Sequence, residues 1–151
     1  MKLGKQLAGL ILVAWAAGCG SGGGETVDTK PFEGAWKFDS ELVSASCPGL
    51  GDLKQDLTGR TMTLTKGTGA ELLLDLFDMC KLTFIVTGNT ATAKAGQKCS
   101  IPVSTFGNQE VEVTLWTLTT ADGMTLTTEQ KGTVFAGMCM ATGSGMATKQ
   151  P

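Results

Sequence analysis

Hydrophobic and polar positions alternate along nearly the whole chain after Pro31. A period near two sends successive side chains to opposite faces of a strand. In Trp36-Lys37-Phe38-Asp39-Ser40-Glu41-Leu42 the alternation puts Trp36, Phe38 and Leu42 on one face. In Thr61-Met62-Thr63-Leu64-Thr65 the methionine and leucine face inward and the threonines outward. Residues 71–77 are apolar on both faces, with Leu72, Leu74 and Leu76 on one and Leu73 and Phe77 on the other. That pattern suits a short helix or a well-covered strand, and its neighbours favour strand. Leu82, Phe84 and Val86 alternate with Lys81, Thr83 and Ile85 up to Gly88-Asn89, a two-residue turn of the hairpin kind. Pairing Thr87 with Thr90 across it sets Val86 against Ala91 and Phe84 against Ala93.

The second half continues in the same way. Pro102 lacks a donor for a ladder, so its segment is an edge or irregular strand. Gly107-Asn108 is a further turn signal. Val111, Val113 and Leu115 share a phase that Trp116 and Leu118 break, which calls for a β-bulge near Leu115-Trp116. Asp122-Gly123 marks another hairpin, and residues 134–140 and 145–148 close the chain. The expectation is an all-β fold, an antiparallel meander of eight or nine short strands with no helix. Tight turns at regular spacing favour closure into a small barrel, with a sandwich as the alternative.

The first residues follow a different pattern. Lys2 and Lys5 precede an apolar run from Leu7 to Ala17, and Ala16, Ala17 and Gly18 lead into Cys19. Eleven apolar residues are too few to cross ~30 Å of hydrocarbon as a helix. Basic start, short apolar core and small residues together form an export signal. A cysteine directly after them resembles the lipobox of bacterial lipoproteins, although Ala16 stands where that pattern has a larger aliphatic residue. The resemblance implies lipidation of Cys19 and anchoring in the bacterial cell envelope. Gly20 rather than aspartate after the cysteine points to the outer membrane, by resemblance to bacterial sorting rules. The alternative is an ordinary cleavage near Ala14-Trp15-Ala16 that leaves Cys19 a free thiol. The chain therefore divides into a signal peptide at 1–18, lipidated Cys19 with a Gly-rich tether at 19–31, and one all-β domain at 32–151.

Cysteine parity agrees with that division. The chain has five cysteines, and lipidating Cys19 leaves Cys47, Cys80, Cys99 and Cys139 for two disulfides in an oxidising compartment. The spacing contains no C-x-x-C, so neither a zinc ribbon nor a redox pair is indicated. Cys80 and Cys99 flank the Gly88-Asn89 hairpin, and strict register puts Cys80 opposite Gln97 on the same face as Cys99. This favours Cys80–Cys99 with Cys47–Cys139, while the other two connectivities stay open. Met138-Cys139-Met140 and Met79-Cys80 also offer a soft Cu(I) donor set, which requires the cysteines reduced.

Composition narrows the chemistry. The chain has no histidine, which removes Ser-His-Asp, Cys-His and His-metal sites together. Losing Lys2 and Lys5 with the signal peptide takes the formal charge from −2 to −4. No basic patch suits nucleic acid. Asp52, Asp56, Glu71, Asp75, Asp78, Glu110 and Glu112 could in principle supply a glycosidase-type carboxylate pair. Acidic residues at strand ends are more often solvated surface, so neither an enzyme nor a cofactor is expected.

At Phe32-Glu33-Gly34-Ala35-Trp36 the chain resembles the lipocalin-like (calycin) β-barrels, whose first strand carries Gly-x-Trp, here Gly34 and Trp36. The resemblance implies a barrel whose closed end is plugged by the tryptophan. It also implies a basic residue of the last strand packed on that tryptophan, for which Lys149 is available. It extends to an apolar pocket and a small apolar ligand. The expected role is a structural or interaction module of the cell envelope, held to the membrane by its N-terminal lipid, with ligand binding as the alternative.

Overall fold

The computed structural model describes residues 27–103 and 106–151. The expected signal peptide at 1–18, Cys19 and most of the expected tether lie outside the described residues. Ten strands follow in order: β1 (Gly34–Cys47), β2 (Gly51–Asp56), β3 (Thr61–Lys66), β4 (Glu71–Leu76) and β5 (Cys80–Thr87), then β6 (Thr90–Ala93), β7 (Gln97–Val103), β8 (Gly107–Thr119), β9 (Thr125–Val134) and β10 (Cys139–Lys149). All pairings are antiparallel.

Eight strands close on themselves in the order β1, β3, β4, β5, β6, β8, β9 and β10, which returns to β1. The fold is thus a barrel, not a sandwich. Closure removes the exposed edges that an open sheet carries. The two remaining strands, β2 and β7, pair only with β1 and β8 respectively.

Strand length explains the shape. β3 and β4 have 6 residues each, whereas β1 and β8 have 14 and 13. At ~3.3 Å per residue the long strands run roughly twice as far. The first part of β1 pairs with β3, and its last part, Leu42 to Cys47, pairs with β2. The last part of β8 pairs with β6, and its first part with β7. The molecule therefore has a closed tier and a flared tier. The flared tier is a six-stranded sheet whose free edges are β2 and β7. A hydrogen bond joins these edges: Gln55 Nε2 donates to the Pro102 carbonyl at 2.7 Å. Pro102 costs β7 nothing on its unpaired side.

The closed tier is filled. Trp36, Phe38, Leu64, Leu74, Phe84 and Leu126 are all buried within it. Burying each such side chain stabilises the fold by about 1.5–3 kcal/mol. The Gly88-Asn89 hairpin has the register its pattern predicts, Val86 to Ala91 and Phe84 to Ala93. Residues 71–76 form a strand, with Leu72, Leu74 and Leu76 inside and Leu73 exposed. Phe77 falls in the turn that follows. The bulge in β8 lies between Val113 and Leu115, one residue before the expected place.

Four expectations are corrected. Leu42 does not share a face with Trp36 and Phe38. A register shift between Phe38 and Ser40 reverses the phase of β1, so Glu41 is buried and Leu42 exposed. Residues 134–140 are not one strand, because Phe135 to Met138 turn between β9 and β10. β10 then runs unbroken from Cys139 to Lys149. Gly107 and Asn108 are not a turn: they begin β8, paired with Val103 and Pro102. Cys80 does not face Gln97 in strict register, because the β5–β6 ladder stops at Phe84 and Ala93. Gly96, at φ +73°, then turns the chain away to run along β8.

Candidate functional site

The barrel signature sits at the closed end. Trp36 is fully buried, and its indole N–H donates to the Phe32 carbonyl at 2.7 Å. Lys149 is its register partner on β10, with Nζ 5.2 Å from the centre of the Trp36 ring. A basic residue of the last strand thus covers the tryptophan of the first. The contact is of the cation–π kind. Gly34, at φ +130°, lies beneath the Lys149 stem, where a Cβ would come within 3.0 Å of Lys149 Cε.

The other end holds a cavity. Between the closed core and the flared strands is a partly enclosed apolar space of about 70 Å³. Val43, Leu53, Phe77, Ile101, Val111 and Phe135 contribute to its wall, from strands of the flared tier and from two turns. Polar residues line it too, Lys54, Gln55, Lys131 and Thr142 beside Trp116 and Gln130, and the last two are direct register partners on β8 and β9. The Trp116 indole nitrogen is buried and has no hydrogen-bond partner among the described residues.

Below lies a small polar layer. Glu41 is almost fully buried at 1% exposure. Its carboxylate accepts from the Thr128 hydroxyl, and from Gln130 Nε2 at 2.5 Å. Burial pushes the Glu41 carboxyl above its ordinary value, and the two hydrogen bonds only partly oppose this. Space for it comes from β10. Gly145 is paired with Glu41, and a Cβ at 145 would overlap both the Ser40 carbonyl and the Glu41 carboxylate. Glu41 is the buried carboxylate that sequence reasoning missed. Its signal was the bulge: once Asp39-Ser40 shifts the register, Glu41 replaces Leu42 on the inner face.

Of the carboxylates proposed from sequence, Glu110 and Glu112 share Lys98, at 2.9 and 3.9 Å. Glu71 is held by Lys94 at 2.6 Å, Glu110 by Lys98 at 2.9 Å and Asp75 by Lys81 at 3.4 Å, all surface ion pairs. Asp122, at the β8–β9 turn, accepts from the Met124 and Thr125 backbone amides, which pull its carboxyl down to about 2. Two cysteine pairs lie at disulfide distance, Cys47 with Cys139 and Cys80 with Cys99, at Cα separations of 4.4 and 4.5 Å. With both sulfurs so paired, the methionines around Cys80 and Cys139 have no thiolate to share a soft metal with. Met79, Met138 and Met140 instead face solvent.

Exposed apolar side chains mark the flared end. Its three turns and strand ends carry Leu50, Phe106, Met138 and Met140, exposed by 39–67%. Phe106 stacks edge-on against Phe135, their centroids 5.4 Å apart. The chain enters the barrel at the opposite, closed end. A shallow hollow of about 710 Å³ on the outer wall is lined by Ser44, Thr119, Thr127 and Thr142 together with Leu42, Glu129 and Lys131.

The chain is similar to a redesigned β-barrel. Identity is 15%, with a TM-score of 0.37, over 80% of this chain and 93% of that one. Neither a family model nor a curated protein sequence matches it. The barrel itself rests on the strand order and the β1–β10 closure described above. No helix among the described residues is long and apolar enough to cross a membrane.

Proposed function

We propose that this chain is an exported lipoprotein, anchored through Cys19 at the cell envelope, that presents the flared end of its barrel to an envelope partner. The observation that carries the reading is polarity along the barrel axis. The tether joins the closed end, where Met124 is exposed, and four further exposed apolar residues, Leu50, Phe106, Met138 and Met140, gather at the end farthest from it. Exposed apolar side chains gathered at one place are a usual mark of a partner surface. Export is supported by the basic-apolar-small order of residues 1–18 and by pairing of the four remaining cysteines.

The interior favours this reading over storage of a whole ligand. Pockets for drug-sized ligands run to about 300–1,000 Å³, and the cavity here is about 70 Å³. Two measurements on the exported protein test the proposal. Intact mass reports the acyl group expected on Cys19. A photo-crosslinking residue at Met138, on the flared end, captures an envelope protein in whole cells, whereas one at Met124, on the closed end, does not. Absence of acyl mass overturns the anchor. Equal capture from both positions, or from neither, overturns the surface.

A further inference from the structure

The three turns at the flared end are tied into one surface. The open sheet there has the strand order β2, β1, β10, β9, β8 and β7, so the β1–β2, β9–β10 and β7–β8 turns stand side by side. Cys47 and Cys139, at disulfide distance with Cα atoms 4.4 Å apart, join the first to the second. The edge-on stack of Phe106 and Phe135, at 5.4 Å, joins the second to the third. Phe135 and Ala136 both hold positive φ, at +53° and +54°. Strain of this kind persists only where the surroundings impose it, and it gathers at functional sites. Leu50, Phe106, Met138 and Met140 are exposed along this rim. The residues that join its strands, 48–50, 104–106 and 135–138, include no Asp, Glu, Lys or Arg. The closed end, by contrast, has Asp28, Lys30, Glu33 and Asp122.

We propose that the rim is a self-association surface, at which a second copy of this chain docks flared end to flared end. The proposal rests on the reading of that end as a contact surface and names its occupant. Charge favours the copy. The chain is net acidic, at −2, and like charges brought face to face disfavour a contact. The rim lets two copies meet without facing any. Shape supplies the rest. The apolar cavity of about 70 Å³ reaches the rim at Val103 and Phe135. Lys54 and Lys131 on its wall are themselves exposed, and Lys131 is paired with Glu129 at 3.3 Å. The cavity is about half the ~150 Å³ engineered cavity that takes benzene, so it suits the end of one side chain. Leu50 and Met138 are exposed side chains of that kind on the same rim. Knob and seat thus lie at one end of the barrel. A contact between like ends closes on a two-fold axis, where a head-to-tail contact could grow into a filament. A bilayer fits the rim less well. Surfaces that lie on membranes combine apolar residues with Lys or Arg for anionic lipid, and the joins of the rim contain neither cation.

Two differently tagged copies of the full chain, made together in whole cells, test the proposal. One copy carries a photo-crosslinking residue at Met138. The expected product contains both tags at the summed mass of the two copies. The same crosslinker at Met124, on the closed end, is expected to give no such product. Leu50→Lys in both copies brings like charges together and is expected to lower the yield about tenfold or more. Met140→Lys is expected to do the same, and both positions are exposed, at 55% and 60%. If neither variant folds, the two-tag product of the parent decides. A product joining Met138 to a different protein overturns the second copy and leaves the flared end a contact surface. A phospholipid adduct at Met138 with no protein overturns the second copy in favour of a bilayer. No product from Met138 overturns both readings. Equal two-tag yield from Met138 and Met124, or a yield undiminished by both lysine variants, overturns the proposal as well.

Discussion

The side-chain amide of Gln97 serves Thr83 as a substitute strand. Gln97 Oε1 accepts from the Thr83 backbone N–H at 2.8 Å, and Nε2 donates to the Thr83 carbonyl at 2.8 Å. The need for it follows from the topology. β6 ends at Ala93, and β7 leaves β5 to pair with β8. Thr83 then lies beyond the end of the ladder between β5 and β6. Gln97→Leu leaves the Thr83 N–H without its acceptor and is expected to cost about 1–3 kcal/mol in urea unfolding. Gln97→Glu keeps an acceptor and is expected to cost less. A Leu variant as stable as the parent would show the amide to be incidental.

Glu41 sets a pH dependence of the opposite sign to the usual carboxylate. Its folded-state pKa is raised by burial. The protonated form is therefore favoured by folding, and that contribution is whole below the ordinary glutamate value. It is lost as pH rises through the raised folded value. Glu41→Gln removes the charge and keeps the size. The variant is expected to gain stability relative to the parent as pH is raised from about 4 to 8. Parallel stability curves for the two proteins over that range would contradict the assignment.

The two cysteine pairs are expected to differ in worth. Cys47 and Cys139 are separated by 92 residues, Cys80 and Cys99 by 19. In the chain-entropy account a bridge closing the longer loop restricts the unfolded chain more, by about 4–5 kcal/mol against about 3 kcal/mol. Replacing Cys47 and Cys139 together by alanine should therefore lower the denaturation midpoint more than replacing Cys80 and Cys99. The reverse order would mean that strain or packing around the bridges outweighs loop entropy.

The β9–β10 turn carries local strain that can be relieved. Ala136 has φ +54°, in the left-handed region that favours glycine. Ala136→Gly is expected to raise stability by about 0.5–1 kcal/mol, the steric gain less the extra freedom of the unfolded chain. Thermal unfolding of the variant checks it, and a lower melting temperature would place the strain elsewhere. Phe135, at φ +53° in the same turn, is anchored by its stack on Phe106 and by the cavity wall.

Much of the barrel was legible before any coordinates. The hairpin at Gly88-Asn89, the threonine-out alternation of β3, the edge character imposed by Pro102 and the bulge in β8 are all local signals. The Trp36 and Lys149 pair was legible too, because a family pattern names both ends of it. The cavity was not. Its wall draws on β1, β2, β7, β8 and β9 together, and no window of sequence brings those strands side by side.

The sequence by itself determined the class of structure, because a period of two and a turn chemistry are properties of neighbouring residues. It also determined the pool of chemistry, with no histidine and an even set of cysteines after Cys19. Tertiary structure decided which side chains that class would bury. The register shift at Phe38 and Ser40 turns Glu41 inward, and Gly145 leaves the space it occupies, from more than 100 residues away in the chain. Likewise Trp116 and Gln130 become neighbours only through the β8–β9 register, which their own local patterns do not contain. A strand's phase is local, but the residue at which it is broken depends on what the opposite strand can accommodate.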